Sequence, residues 1–314
     1  MEGWLDPAPQ SVLDAFGPHA AATETLAWLL FGGAAAILAL VALATALAVR
    51  GPAAIRNVLA RDATVVGAGL VLPVVVLTAL LVHGARTTAE MTHGTASLAV
   101  EVVGERWWWR VLYLDADGVP DFETANEIRL PRGQPVDLRL RSADVIHSLW
   151  VPALAGKMDL IPGRVNHLRV QADRTGTFRG QCAEYCGGAH ALMALHVVAE
   201  EPEAFEAWRA SQRRPAPEPA SAEAARGRDA FLARGCPLCH SVRGTPARGR
   251  FGPDLTHVGS RTSLAAGILP NQVGTLAGWI ASARHLKPET RMPSFGGMPG
   301  HELRALATYL EALR

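Results

Sequence analysis

GQCAEYCGGAHALM, residues 180–193, gathers Cys182, Glu184, Cys186, His190 and Met193 into fourteen positions. Two thiols four apart, an imidazole four further on and a thioether three beyond that make a loop of soft metal donors. The flanking sequence has strand texture. HLRVQA (167–172) precedes the loop and ALHVVA (194–199) follows it. Further upstream, SLAVEVVGERWWWRVLYL (97–114) and PVDLRLRS (135–142) alternate apolar and polar residues as half-buried strands do. Asp117-Gly118 and Arg132-Gly133 supply turns. Residues 95–205 therefore read as an antiparallel β-domain, expected to be a sandwich. His147, in SADVIHSLWVP, lies 35 residues before Cys182 at the end of one of these runs.

Counted alone, Cys182, Cys186, His147 and His190 suit a closed tetrahedral zinc site. Met193 argues the other way, because zinc rarely recruits a thioether. Thiolate, imidazole and a weak methionine are a copper electron-transfer set. Two thiolates exceed what one blue-copper ion needs.

The chain has 314 residues and a net charge of +1, which gives no reason to expect nucleic acid as a partner. It is rich in Ala, Arg and Gly, with Lys157 and Lys287 its only lysines, a composition that points to a GC-rich bacterial genome. Two stretches without charge, Leu26–Val49 and Thr64–Val82, each meet the length of roughly 20 apolar residues needed to cross a bilayer as a helix. The hairpin is assigned to residues 26–86, with spans at about 26–49 and 64–83. Between them stand Arg50, Arg56 and Arg61 against Asp62, so that loop is expected in the cytoplasm. Residues 1–25 carry Glu2, Asp6, Asp14 and Glu24 and no basic residue, and read as an exported tail. A cleavable signal peptide fits poorly, since no basic segment precedes the first run. Everything after the hairpin then lies outside the cytoplasm.

SQRRPAPEPASA (211–222) has Pro215, Pro217 and Pro219 at alternate positions. It is expected to form a semi-rigid linker of roughly 35 Å, assigned to residues 206–222. Residues 223–314 follow as a small all-α domain, with helical spacing in AEAARGRDAFLARG and PGHELRALATYLEALR. Residues 95–212 hold 12 basic and 16 acidic residues, net −4, and residues 223–314 hold 12 and 6, net +6. Tethered domains of opposite sign are drawn into contact.

The second domain carries Cys236-Pro-Leu-Cys239-His240, the attachment motif for a c-type haem. Two thiols can add to the two vinyl groups of one porphyrin, and the adjacent histidine then lies under the iron. No second thiol pair supports zinc here, and no βαβ pattern supports a redox dithiol. The whole domain resembles class I cytochrome c: Ala225-x-Gly227-x-x-x-Phe231 before the motif, FGPDLTHVGSR (251–261) after it, and RMPSFGGM (291–298) before the last helix. The resemblance implies that Pro253 orients His240 through its carbonyl and that Met292, rather than Met298, is the sixth iron ligand. Trp279 would bond a haem propionate. Met–His ligation leaves no open position, which suits electron transfer.

With the hairpin, the β-domain, the run Trp107-Trp108-Trp109 and C-x-E-x-C-x-x-x-H-x-x-M, the chain resembles subunit II of haem–copper cytochrome c oxidase, in the branch with a fused cytochrome c. The resemblance implies a multidomain membrane protein: a two-helix transmembrane hairpin, a cupredoxin-like β-sandwich and an all-α cytochrome c domain. It further implies a binuclear copper centre, CuA, bridged by Cys182 and Cys186, capped by His147 and His190, with Met193 and the Glu184 carbonyl as weak axial ligands. The Glu184 side chain would face magnesium at the border with subunit I. Trp107 matches the electron-entry tryptophan and Asp144 one acid of the donor-docking patch, although Ala143 replaces another acid. Val66 stands where a proton-channel glutamate is common. All four cysteines are thereby used, two per cofactor.

The implied function is the electron-entry subunit of a proton-pumping oxidase in a bacterial plasma membrane, with the N-terminus and both cofactor domains on the outer side. Electrons from a cytochrome c or cytochrome bc complex would pass through haem c and CuA to subunit I, where oxygen becomes water. Subunit III is a further expected partner. This chain would carry relays and no oxygen-reducing site. The alternatives are a subunit of a CuA-containing nitric oxide reductase, and a membrane-anchored zinc- or copper-binding protein without turnover.

Overall fold

The computed structural model describes residues 10–92 and 96–314. The described residues form two compact units, 21–92 on one hand and 10–20 with 96–314 on the other. Glu2 and Asp6 of the expected tail lie outside the described residues.

The first unit holds the two apolar helices. Helix α1 (Pro18–Arg50) is followed by α2 (Ala53–Leu59), α3 (Asp62–Val66), a single π turn (Gly67–Val71) and α4 (Leu72–Thr92). Two apolar helices, Pro18–Arg50 and Asp62–Met91, have windows of mean hydropathy 2.4 and 2.7, and none of either window is buried. A helix bonds its own backbone internally, so leucines and valines facing outward suit a hydrocarbon surround. Both helices outrun the expected spans, because hydrogen-bonded turns continue past the apolar stretch at either end. Pro18 supplies a helical φ at the first position and Gly51-Pro52 stops the helix at Arg50. The π turn ends two residues before Pro73, which has no N–H for the carbonyl four residues back. Val66 ends α3 beside that turn.

Residues at the end of the tail are already tied to the second unit. Phe16 N–H donates to Ala153 O (2.8 Å), Phe16 O accepts from Asp173 N–H (2.7 Å), and its ring lies 5.1 Å from that of Phe178. The tail expected over 1–25 is therefore partly docked, because Phe16 brings an aromatic ring to an apolar edge.

The β-domain is a sandwich of ten strands: β1 (Leu98–Glu105), β2 (Trp108–Leu114), β3 (Pro120–Ala125), β4 (Glu127–Pro131), β5 (Val136–Ser142), β6 (His147–Trp150), β7 (Met158–Leu160), β8 (Asn166–Val170), β9 (Gly176–Cys182) and β10 (Ala194–Glu200). One sheet runs β3-β2-β1-β5-β8 and the other β4-β10-β9-β6-β7. The sheets are mixed, since β1 pairs β5 and β10 pairs β4 in parallel. This corrects the antiparallel expectation. Alternation reports that one face is buried and says nothing of a neighbour's direction. Trp109, Leu138, Leu140, Leu149 and Phe178 fill the space between the sheets.

Helix α5 (Pro202–Gln212) follows β10 and occupies residues expected to belong to the linker. Phe205 and Trp208 project from it onto Tyr113, whose ring stacks on Phe122 at 4.7 Å. Burial of that aromatic face orders the segment, an effect invisible in its proline content. The remaining linker is also docked. Ala216 N–H donates to Arg243 O (2.9 Å), His257 Nε2 donates to Arg214 O (3.1 Å), and Arg213 pairs with Asp121 (2.6 Å).

The last domain packs α6 (Ala222–Ala233), α7 (Val273–Leu286) and α8 (Gly300–Ala312). The Ser221 hydroxyl caps α6 by accepting from Ala224 N–H (3.1 Å). Gly227 lets α6 cross α8, since a Cβ there would sit 2.7 Å from Tyr309 Cβ. Phe231 and Tyr309 close the crossing at 6.0 Å. This domain rests on the β4–β10 edge of the sandwich. Glu127 accepts from Thr262 N–H (2.6 Å), Arg129 donates to Ser260 O (3.2 Å), and Ala194 N–H donates to Ala266 O (3.0 Å). Arg250 and Glu123 form an ion pair at 3.8 Å. Hydrogen bonds to backbone carry more of this contact than the net charges suggested.

Candidate metal and haem sites

Strand β9 ends at Cys182, and the loop returns through Cys186 and a 3-10 turn (His190–Leu192) to Met193, which immediately precedes β10. Cys182 N–H donates to Met193 O (2.8 Å) and closes the loop at its neck. Register pairs Leu149 of β6 with Cys182, which brings His147 alongside. The donors converge in two groups. Cys182 Sγ lies 3.9 Å from His147 Nδ1 and 3.2 Å from Glu184 O. Cys186 Sγ lies 3.5 Å from His190 Nδ1 and 3.9 Å from Met193 Sδ. The two sulfurs are 3.8 Å apart. His147, Cys182 and Cys186 form a buried cluster able to hold a metal ion.

Each sulfur thus has its own imidazole and its own weak donor. One tetrahedral ion would use the thiols and imidazoles and leave the thioether and the carbonyl idle. Two ions sharing both sulfurs use all six donors, so the residues fit a copper pair. The electrostatics agree. The hydrogen bond between the two sulfurs holds the Cys182 thiol well below its usual range and raises that of Cys186. A cation is what brings both to thiolate.

His147 is fully buried and its orientation is fixed on three sides. Nε2 donates to Asp144 Oδ1 (2.8 Å), which leaves Nδ1 for the metal side. Asp144 also accepts from Val145 N–H (2.7 Å) and, through Oδ2, from Arg106 N–H (2.8 Å). Gly104 permits the imidazole, since a Cβ there would stand 2.6 Å from His147 Cδ2. Burial opposes charge on His147, but the bonds to Asp144 and Cys182 outweigh it and raise its pKa. Asp144, read from sequence as a docking acid, spends its carboxylate on the site. Asp144→Asn should weaken copper retention by about 10–100-fold, because it removes the carboxylate that holds the ring. Chelator-challenge titration, with an unchanged circular-dichroism spectrum as control, measures it.

Glu184 is exposed, and its carbonyl meets the Cys182 sulfur at 3.2 Å. Trp107 is buried and its Nε1–H donates to Cys186 O (3.1 Å). Gly187, at φ +119, passes so close that a Cβ would lie 2.9 Å from the indole.

In the last domain Cys236 opens a 3-10 turn (Cys236–Leu238) that Cys239 closes, and His240 Nδ1 donates to Pro253 O (2.8 Å). Only Nε2 remains for a metal. Gly252 packs on the ring, a Cβ there standing 2.7 Å from Cε1. Burial pulls His240 down and keeps it neutral, and burial pushes Cys236 up to about 11, a neutral thiol unlike Cys182. Cys236, Cys239, His240, Trp279 and Met292 line one apolar cavity; Met298 packs on the core beside it. The buried Arg261 also lines it, and its Nε has no hydrogen-bond partner. A slot with two thiols, an oriented imidazole, a thioether and an unpartnered guanidinium nitrogen fits a haem whose propionates are anionic.

Trp107 and Lys287 were not connected by the sequence. Lys287 Nζ donates to Trp107 O (2.6 Å) and Ala265 O (3.0 Å), and both residues line the same cavity. Burial holds its ammonium down to about 7. One signal was available, since this chain has only two lysines.

Fold and sites together define a protein with two apolar helices, a cupredoxin-like sandwich and a helical domain of cytochrome c type. Residues 114–200 match the family model "Cytochrome C oxidase subunit II, periplasmic domain", and residues 224–314 match that of cytochrome c. Cytochrome c oxidase subunit 2 of Alkalihalophilus pseudofirmus is 36% identical over 221 residues, 70% of this chain and 63% of that protein. The Bacillus subtilis protein of the same name is 28% identical over 255 residues, 78% of this chain and 70% of that one. The crystal structure of the periplasmic domain of subunit II of the Bradyrhizobium japonicum cytochrome oxidase covers 38% of this chain and 96% of that one, at 31% identity and a TM-score of 0.36. The chain thus carries a periplasmic domain of the cytochrome c oxidase subunit II family followed by a C-terminal cytochrome c domain, and it spans a little under two thirds of the length of its 36%-identical relative. The two families imply copper in the sandwich and haem in the helical domain.

Proposed function

We propose that this chain is the electron-entry subunit of a haem–copper terminal oxidase in a bacterial plasma membrane, with both cofactor domains on the outer side. Bound haem c and a copper pair would supply one-electron relay chemistry between an external donor and subunit I, where oxygen is reduced to water with proton pumping. The observation that carries the reading is the doubled donor set, with one imidazole and one weak donor beside each of two sulfurs 3.8 Å apart.

Cys182, Cys186, His147, His190, Met193 and the Glu184 carbonyl would hold the copper, which would supply one-electron redox chemistry there. Cys236, Cys239, His240 and Met292 would hold the haem, with Pro253 orienting His240. The side chains' task is to fix geometry before an electron arrives. His147 is locked by Asp144, and the loop is closed by the strand pairing of β9 with β10. Rigid ligands that need not move on a change of charge keep reorganisation small. The exposed Glu184 carboxylate would meet magnesium at the subunit I border. The domain limits are proposed as sandwich to about residue 212, a docked linker to 221 and the haem domain beyond.

Metal analysis and EPR of the purified chain test this. Two coppers sharing one unpaired electron, with one haem c, are expected. One zinc in place of the copper pair would sink it.

A further inference from the structure

Lys287 is the one buried lysine, 2% exposed, and among the described residues no carboxylate pairs with it. A buried amine is costly to desolvate, and an apolar side chain could fill the same space without that cost. Its two acceptors belong to different domains. Ala265 O lies in the haem domain and Trp107 O in the sandwich. Two residues further on, Glu289 adopts φ +63 and lays its carboxylate against Gly188, in the copper loop itself. The segment carrying Met292 is thereby pressed onto the sandwich at Trp107 and Gly188. Trp107 has the haem cavity on one side and bonds the Cys186 carbonyl on the other.

We propose that Lys287 is a positioning residue, a latch that fixes the methionine loop of the haem domain against Trp107. Trp107 becomes the wall shared by the two redox sites, and its surface is closed to outside donor proteins. This rests on the function proposed above. The step it serves moves one electron from reduced haem, which is oxidised, to the copper pair, which is reduced, with no proton or bond exchanged. A methionine of similar length at 287 would keep the volume and lose both hydrogen bonds.

The test uses the full chain with haem and copper bound, comparing wild type with Lys287→Met. An electron is injected photochemically into the haem and copper reduction is followed optically. In the wild type the transfer is expected to be unimolecular and independent of protein concentration. In K287M it should slow at least tenfold, with metal content, haem spectrum and both potentials unchanged. Amides of residues 104–109 and 186–189 should exchange hydrogen faster. Added reduced soluble cytochrome c should begin to reduce the copper directly, in a concentration-dependent phase absent from the wild type. Should K287M lose its haem, Lys287→Gln, which keeps one N–H donor group on a shorter arm, gives the same test with a smaller expected slowing. Equal transfer rates and equal exchange in wild type and variant would overturn the latch while leaving the proposed function intact. No transfer in the wild type would instead overturn the function itself.

Discussion

Replacing Cys182 by serine is expected to empty the copper site while sparing the haem. Cys182 is where the donors meet: its sulfur lies 3.8 Å from Cys186 Sγ, 3.9 Å from His147 Nδ1 and 3.2 Å from Glu184 O. A serine hydroxyl is hard and stays protonated near neutral pH, so it can neither bridge two soft ions nor hold their charge. Copper should fall from two per chain to one or none, and the EPR signal of a shared electron should vanish. Electron delivery should drop by more than the roughly 100-fold that marks the upper range for removing an outer partner. Haem content should be unchanged, since Cys236 and Cys239 line a separate cavity. Copper analysis, EPR and the haem absorption of one preparation decide it. A wild-type site holding a single zinc ion would show no EPR signal to lose.

Met292→Ala should change the haem as sharply, and Met298→Ala should not. Both side chains pack against the same apolar core, but only Met292 lines the cavity with His240. Without its thioether the iron should turn high-spin and accept added carbon monoxide or imidazole. The potential should fall, by an amount on the order of a few hundred millivolts within the roughly 0.8 V that axial ligands span. The absorption spectrum and a redox titration of each variant measure this. A normal spectrum in the Met292 variant would move the ligand elsewhere.

Much of this was legible because the motifs are local. C-x-x-C-H and the spacing of Cys182, Cys186, His190 and Met193 depend on residues a few positions apart, and a single loop or turn holds them. The hairpin was legible for a similar reason, since hydropathy over some twenty residues is a property of one helix. The helix ends were not, because the backbone ladder outlasts the apolar run. Proline content misplaced α5, since the burial of Phe205 and Trp208 on Tyr113 was decided by residues far away in sequence. Alternation in the strands marked a buried face and left the parallel pairs β1–β5 and β4–β10 unseen.

Asp144 shows the same limit at the site. The family resemblance made it an acid of a docking patch, and only the turn before β6 brings its carboxylate to His147. The sequence by itself determined which atoms could bind metal and how many domains carry them, because donor chemistry and short spacings survive without a fold. The tertiary structure decided which ring nitrogen faces the sulfurs, and that Lys287, 180 residues from Trp107, joins the two sites. Those are long-range hydrogen bonds between elements that meet only when the sandwich and the helical domain have packed, and no local pattern encodes them.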